Sequence, residues 1–140
     1  MEVAVNDNLQ DLVLKYVRTW DARSEHSLVD EVMAPDVVDH QPVGPPDGVG
    51  GVKRDIAIYH AAFPDLALTC EDYIVGEDRV AVRWSATGTH EGDGLGMPPT
   101  HRRVQLHGID ILRVAQGRVA ERWGQFNGLE MMQQLTAASS

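Results

Sequence analysis

The chain has 140 residues with 43 % hydrophobic content, enough for one domain with one core. Its formal net charge of −9 and pI near 4.9 argue against a nucleic-acid or anionic-membrane surface. Cys70 is alone, which rules out a disulfide framework and suits a reducing cytoplasm; no apolar run nears the roughly 20 residues of a bilayer span, and the Met1–Glu2 start lacks a signal-peptide core.

The first helix is expected from about Asn6 or Asp7. Leu9, Leu12, Val13, Tyr16, Val17 and Trp20 fall on one helical stripe, and Asp7 or Asn8 can cap it. A break at Asp21–Glu25 precedes a short second helix carrying Leu28, Val29, Val32 and Met33, capped by Ser24 or Ser27 and ended by Pro35. Val37–Gln41 reads as a short strand, with His40 inward and Asp39 on the surface. Pro42–Gly51 is an irregular Pro/Gly loop. A third helix runs from about Val49 to Ala62 and stops at Phe63-Pro64-Asp65.

Four strands follow: Leu66–Val75, Arg79–His90, Val104–Val114 and Arg118–Phe126. Gly76-Glu77-Asp78 and Gln116-Gly117 are hairpin turns. Glu91–Thr100 is a longer Gly/Pro loop, and Leu95 and Met97 within it could dip over a pocket mouth as a lid. A last helix spans Leu129–Leu135. The expected unit is a single domain over 1–140, with its core at about 7–135 and 136–140 as a flexible tail. Helices come first and an antiparallel meander follows, so the fold class is α+β: a curved, conical antiparallel sheet with three N-terminal helices on its concave face.

Asp110 is the residue that asks for an explanation, because a carboxylate inside the apolar strand Gly108–Leu112 is costly unless used or satisfied. It shares a strand face with Leu106, Gly108 and Leu112, and Gly108 leaves room for a ligand to approach. Its use would be proton transfer; its structural alternative is a pair with Arg83 or Arg122. His40 has the chemistry of a general base near neutrality. Tyr16 lies on the buried helical stripe and needs a partner for its phenol. Trp20, Tyr59, Phe63, Trp84, Met97, Trp123, Phe126 and Asn127 are the expected pocket lining, some of them sharing that work with the core. Ile109 and Ile111 make the opposite sheet face apolar too, which calls for a second subunit to cover it. No HExxH, paired cysteine or regular histidine spacing points to a metal, and no Gly-rich loop opens a helix after a strand.

Asp36-Val-Val-Asp-His40, Ala62-Phe-Pro-Asp-Leu66, Asp78–Trp84, Gly88-Thr-His90, Gly96–Thr100, Gly108-Ile-Asp-Ile111 and Glu121-Arg-Trp123 resemble the SnoaL-like polyketide cyclases, also called ester cyclases. These belong to the nuclear-transport-factor-like superfamily of conical α+β barrels. The resemblance covers about Leu9–Leu135. It implies a cofactor-free enzyme of bacterial secondary metabolism that folds an apolar, polyketide-like intermediate for ring closure, by aldol-type acid/base chemistry or by templating a pericyclic step. Other members are isomerases, dehydratases, hydrolases of small ketones or epoxides, and binding modules, so fold alone does not choose. In aldol cyclases of the family the acid/base is an Asp just after the last-strand Trp; here that position is Gly124. A second likeness is to bacterial ketosteroid isomerases: Tyr16 and His40 stand like their oxyanion tyrosine and general base, and Asp110 like their protonated second acid. The resemblance thus implies His40, Asp110 and Tyr16 as the catalytic set.

Overall fold

A computed structural model describes residues 2–41 and 44–137, with side chains from residue 9 onward. In chain order the elements are α1 (Glu2–Thr19), α2 (Ser27–Val32), β1 (Met33–Asp39), α3 (Gly48–Ala62), β2 (Ala67–Val75), β3 (Arg79–Thr89), β4 (Arg103–Ala115), β5 (Arg118–Phe126) and α4 (Gly128–Thr136). The α+β class and the four-strand meander are as the sequence suggests. Among the described residues no helix is long and apolar enough to cross a membrane.

The strands form one sheet in the order β1-β5-β4-β3-β2. β2 to β5 pair antiparallel, whereas β1 runs parallel to β5. The sheet is therefore mixed, and it stays open, with β1 and β2 as its edges. Parallel pairing needs a long crossover, and the chain from α3 through β4 supplies it. On β4 the alternation is clean: Val104, Leu106, Asp110 and Leu112 are buried, while Ile109 is 54 % and Ile111 41 % exposed.

Several local expectations are corrected. α1 begins at Glu2, so Asp7 and Asn8 lie inside the helix rather than at its cap. Neither serine caps α2: the residue before it is His26, without a side-chain cap, and Ser24 Oγ instead donates back to the Asp21 carbonyl at 2.9 Å. β1 starts four residues early at Met33 and includes Pro35. Its register against β5 shifts between Met33 and Val38, the kind of irregularity a residue without an N–H tolerates. Gly48–Gly51 belong to α3 rather than to the loop; Pro42 and Val43 of that loop lie outside the described residues. Of the expected tail, Thr136 closes α4 and 138–140 lie outside the described residues.

Two apolar clusters fill the concave side. One joins Val13, Tyr16, Val32, Val52, Val82 and Leu112 of α1 to β4. The other gathers Phe63, Leu66, Ala86 and Leu106 beneath Met131 and Leu135 of α4. A cavity of about 190 Å³ opens between them, with walls from both clusters.

Candidate functional site

Cross-strand register builds the inner wall. Asp110 pairs with Val82 on one side and Gly124 on the other, and one step along, Gly108 pairs with Trp84 and Phe126. Side chains in register on one face are neighbours, so Trp84, Asp110, Gly124, Phe126 and Arg122 surround one spot. The Trp84 ring crosses Gly108: a methyl group there would lie 2.6 Å from the indole Cζ2. That close approach needs glycine, and it delivers Trp84 Nε1 to Asp110 Oδ1 at 3.2 Å.

Asp110 is 3 % exposed. Tyr16 Oη, presented by α1, donates to its Oδ2 at 2.5 Å, and Arg122 Nη2 lies 3.5 Å from the same oxygen. Arg122 also donates from Nε to Tyr16 Oη at 2.6 Å and from Nη1 to Asp39 Oδ1 at 2.8 Å. Its guanidinium carbon sits 5.0 Å from the Trp20 ring centroid, a cation–π distance. The carboxyl of Asp110 is thus an acceptor from three donors.

Burial opposes the charge on Arg122, but Tyr16, Asp110 and Asp39 outweigh it and hold its pKa above the ordinary guanidinium value. Desolvation pushes the Tyr16 phenol well up, with Arg122 working against it, so Tyr16 stays a phenol and a donor. Tyr59 is likewise pushed up, first by burial and then by Asp55. Three of the five guanidinium N–H groups of Arg122 have the partners above. Three buried polar atoms have no hydrogen-bond partner among the described residues, and two of them, Trp20 Nε1 and Asp39 Oδ2, belong to this cluster.

Glycine at 124 is what lets these side chains close over β5. A methyl group on it would lie 2.7 Å from Arg122 Nη2 and 2.8 Å from Asp110 Oδ1. Asp110 and Arg122 therefore close over Gly124 and fill the space a side chain there would need. A side chain at this position, such as the family's Asp, would contest the space that the Asp110–Arg122 pair occupies.

Of the expected site residues, Tyr16, Asp110, Trp20, Tyr59, Trp84 and Phe126 line the cavity. The rest do not. His40 lies on the outer face, stacked on Trp123 with centroids 4.8 Å apart and bonded through Nε2 to Glu121 Oε2 at 2.6 Å. The β1 phase is the reverse of the expectation: Val37, Asp39 and Gln41 turn inward, Val38 and His40 outward. Asp39, expected on the surface, has a side chain only 6 % exposed. Trp123 is outward with its partner Ile111 and carries Arg79 on its ring. Phe63 is fully buried in the second cluster against His90. Asn127 turns away to take the His107 N–H at 2.9 Å.

Met97 and Leu95 pack on that second cluster, and no residue of Glu91–Thr100 lines the cavity. The loop is pressed against α3, where a methyl group on Gly94 would fall 2.2 Å from the Ile58 carbonyl oxygen. The expected lid is in this structure a clamp. The expected alternative of an Asp110–Arg122 pair is present, whereas Asp39 and Gln41 were not foreseen as parts of the site. Between the two arginines offered, Arg122 was favoured by its place two residues before Gly124 and four before Phe126 on a period-two strand.

The model of the SnoaL-like polyketide cyclases matches residues 10–135. TsrD of Streptomyces laurentii superimposes with a TM-score of 0.85 at 25 % identity, over 94 % of this chain and 97 % of that one. IdmH of Streptomyces antibioticus, a putative polyketide cyclase, gives 0.77 at 29 % identity over 90 % and 96 %. AclR of Streptomyces galilaeus, a putative hydroxylase, gives 0.77 at 30 % identity over 94 % and 82 %. No curated protein matches the sequence.

Proposed function

From the premise that this chain belongs to the SnoaL-like polyketide cyclase family, we propose that it is a cofactor-independent cyclase whose general base is Asp110. The observation that carries this reading is the buried Asp110 carboxyl on the wall of the apolar cavity, with the Arg122 guanidinium beside it at 3.5 Å. A base and an oxyanion donor side by side on one cavity wall is the arrangement that proton abstraction beside a carbonyl requires. The substrate's acidic C–H gives its proton to Oδ1, and the electron pair moves to the carbonyl oxygen, where an Arg122 N–H meets the developing charge. The enolate carbon then attacks a second carbonyl of the same molecule, forming the ring bond. Asp110 returns the proton to the new alkoxide.

Tyr16 and Trp84 are positioning groups in this scheme. Tyr16 fixes Oδ2 and so leaves Oδ1 for the substrate; the Trp84 N–H aims Oδ1. Asp39 neutralises the second edge of Arg122. The apolar floor of Leu66, Leu68, Ala86 and Leu106 binds the rest of the molecule and excludes water, which strengthens each of these interactions. His40 has no part in proton transfer, and the site the family usually places after the last-strand Trp has moved one strand over to Asp110.

The outer sheet face supports a homodimer. Val38, Ile74, Ile109 and Ile111 are 48 %, 74 %, 54 % and 41 % exposed on the strands, and a second copy would cover them.

Asp110→Asn tests the catalytic reading, since it keeps the shape and one donor but removes the base. Turnover of an aldol-type substrate should fall on the order of 10²–10⁴-fold with the melting curve still cooperative. Tyr16→Phe should lose less, because Trp84 and Arg122 still hold the carboxylate. Full activity of folded Asp110→Asn would remove Asp110 from the chemistry.

A further inference from the structure

β2 is an edge of the sheet, so alternate residues turn their backbone groups away from β3. Two bonds show which residues these are. The Ala22 N–H donates to the Leu66 carbonyl at 2.9 Å, and the Leu68 N–H donates to Asp21 Oδ2 at 3.0 Å. Both partners lie outside the sheet. Pairing with β3 runs unbroken from Ala67 to Cys70 and shifts only between Cys70 and Asp72. The Leu68 carbonyl and the Cys70 N–H and carbonyl therefore face outward as well. Among the described residues no other element gives them a hydrogen bond. Leu68 and Cys70 are only part-buried, so this stretch of edge is open.

The open edge is one side of a groove of about 470 Å³. The other side is α1, which presents Leu14, Val17 and Arg18. Asp21, Arg23 and Ser24 line the end next to Leu68. Val17 and Leu68 also line the cavity of Asp110 and stand between the two spaces. Leu14 is 46 % exposed, an apolar side chain that the fold leaves uncovered on the groove wall.

The groove is locally basic on a chain of net charge −9: Arg18 and Arg23 against Asp21 leave one positive charge. Arg23 uses Nε and Nη2 on Asp21, at 2.9 and 2.7 Å, and keeps Nη1. Arg18 has no ion pair among the described residues.

These features select one kind of occupant. An unpaired strand edge takes an extended backbone, and the apolar wall takes its side chains. An acyl chain would fill the groove but leave the edge groups unpaired. The register shift after Cys70 limits the pairing at one end. At the other, Asp21 and Ala22 already hold the edge, so an added chain must stop where Arg23 stands. A terminal carboxylate is what an arginine pair at a chain end binds. Arg23 lies beside the first part of β2, so the added chain runs antiparallel. We propose that the groove between α1 and β2 binds the free C-terminus of a peptide, which adds about three residues to the edge of β2 and sets its carboxylate on Arg18 and Arg23.

Acetyl-trivaline with a free carboxylate is the probe. Its β-branched residues favour the extended form, and identical side chains make the strand phase immaterial. Its C-terminal amide, the same peptide N-methylated at the second and third residues, and octanoate are the controls. Binding is read from the backbone N–H signals of ¹⁵N-labelled protein. At millimolar concentration the free acid should move the Cys70 N–H downfield, as it gains an acceptor, and leave the Trp84 indole N–H of the cavity unmoved. The amide, and the acid with Arg18→Glu, should each bind about 10-fold more weakly or worse. Leu14→Glu, at an exposed position, should weaken binding with the melting curve unchanged. The N-methylated peptide and octanoate should leave the Cys70 N–H where it is. An unmoved Cys70 N–H with the free acid would overturn the proposal. So would equal binding of the amide or the N-methylated peptide, the same shift with octanoate, or shifts centred on Trp84.

Discussion

Replacing Arg122 with methionine probes the centre of the site through stability alone. The Arg122 side chain is 11 % exposed, and its two carboxylate partners, Asp39 and Asp110, are 6 % and 4 % exposed. Methionine keeps much of the stem volume but leaves two buried carboxylates facing one another without a cation. Removing one partner of a buried ion pair costs about 3–5 kcal/mol, and here one substitution strips two acids, so the upper end applies. At about 2–4 °C per kcal/mol for a chain of this size, the midpoint should fall by roughly 10–20 °C. The pKa of Arg122 is raised in the folded state, so its stabilisation is present at all pH values below the unfolded guanidinium value and is lost only above it; the loss in Arg122→Met must therefore appear at neutral pH. Urea unfolding at pH 7 measures it. The triple variant Arg122→Met/Asp39→Asn/Asp110→Asn should recover most of the loss, because no buried charge remains. A single variant within about 1 kcal/mol of the parent, well under the buried-pair range, would refute the claim that Arg122 holds the cluster together.

Asp21 offers a pH test away from the cavity. Arg23 first, and then the N–H groups of Leu68 and Arg23, hold its carboxyl below the ordinary carboxylate range, so its stabilisation is complete above about pH 4 and is lost as pH falls below that; Asp21→Asn should be less stable at pH 7 by about 1–3 kcal/mol and should flatten the acid limb of melting temperature against pH. Ile109→Lys should give a 15.4 kDa monomer by sedimentation where the parent sediments as a dimer; a parent that is already monomeric at micromolar concentration contradicts the dimer. The loop at Glu91–Thr100 should exchange its Glu91 and Gly92 amides slowly, since both donate to the Ala62 carbonyl, and ligand should not change that rate; Gly94→Ala should destabilise by about 1–3 kcal/mol through overpacking against α3.

The parts of the fold that the sequence announced are those with redundant signals. The meander was legible because turn residues and strand length agreed at each hairpin, and β4 could be phased because Asp110 and Gly108 broke an otherwise apolar run. β1 could not be phased: Val37 and Val38 are equally apolar, so period two offered no preference and the chemistry of His40 drew it inward. The structure turns it outward because the register shift next to Pro35 sets Asp39 opposite Arg122. β5 misled for a related reason. Its inward residues are Arg122, Gly124 and Phe126 and its outward ones include Trp123, so hydropathy points the wrong way where a buried charge is satisfied by other charges. The lid expectation failed because glycines were taken as freedom, whereas Gly92 and Gly94 are there for close backbone approach to α3. Asp110 and Tyr16 come together because each was a polar group on an apolar stripe, a pattern that survives any error in strand phase elsewhere.

The most direct test of the account is a crystal structure with ethyl 2-oxocyclohexanecarboxylate bound to Asp110→Asn, which holds the ligand without consuming it. The account predicts the acidic carbon in the cavity, about 3–3.5 Å from the side-chain atom that replaces Oδ1, with a carbonyl oxygen on an Arg122 N–H. A ligand seated with its acidic carbon out of reach of residue 110, or held by His40 on the outer face, would contradict it.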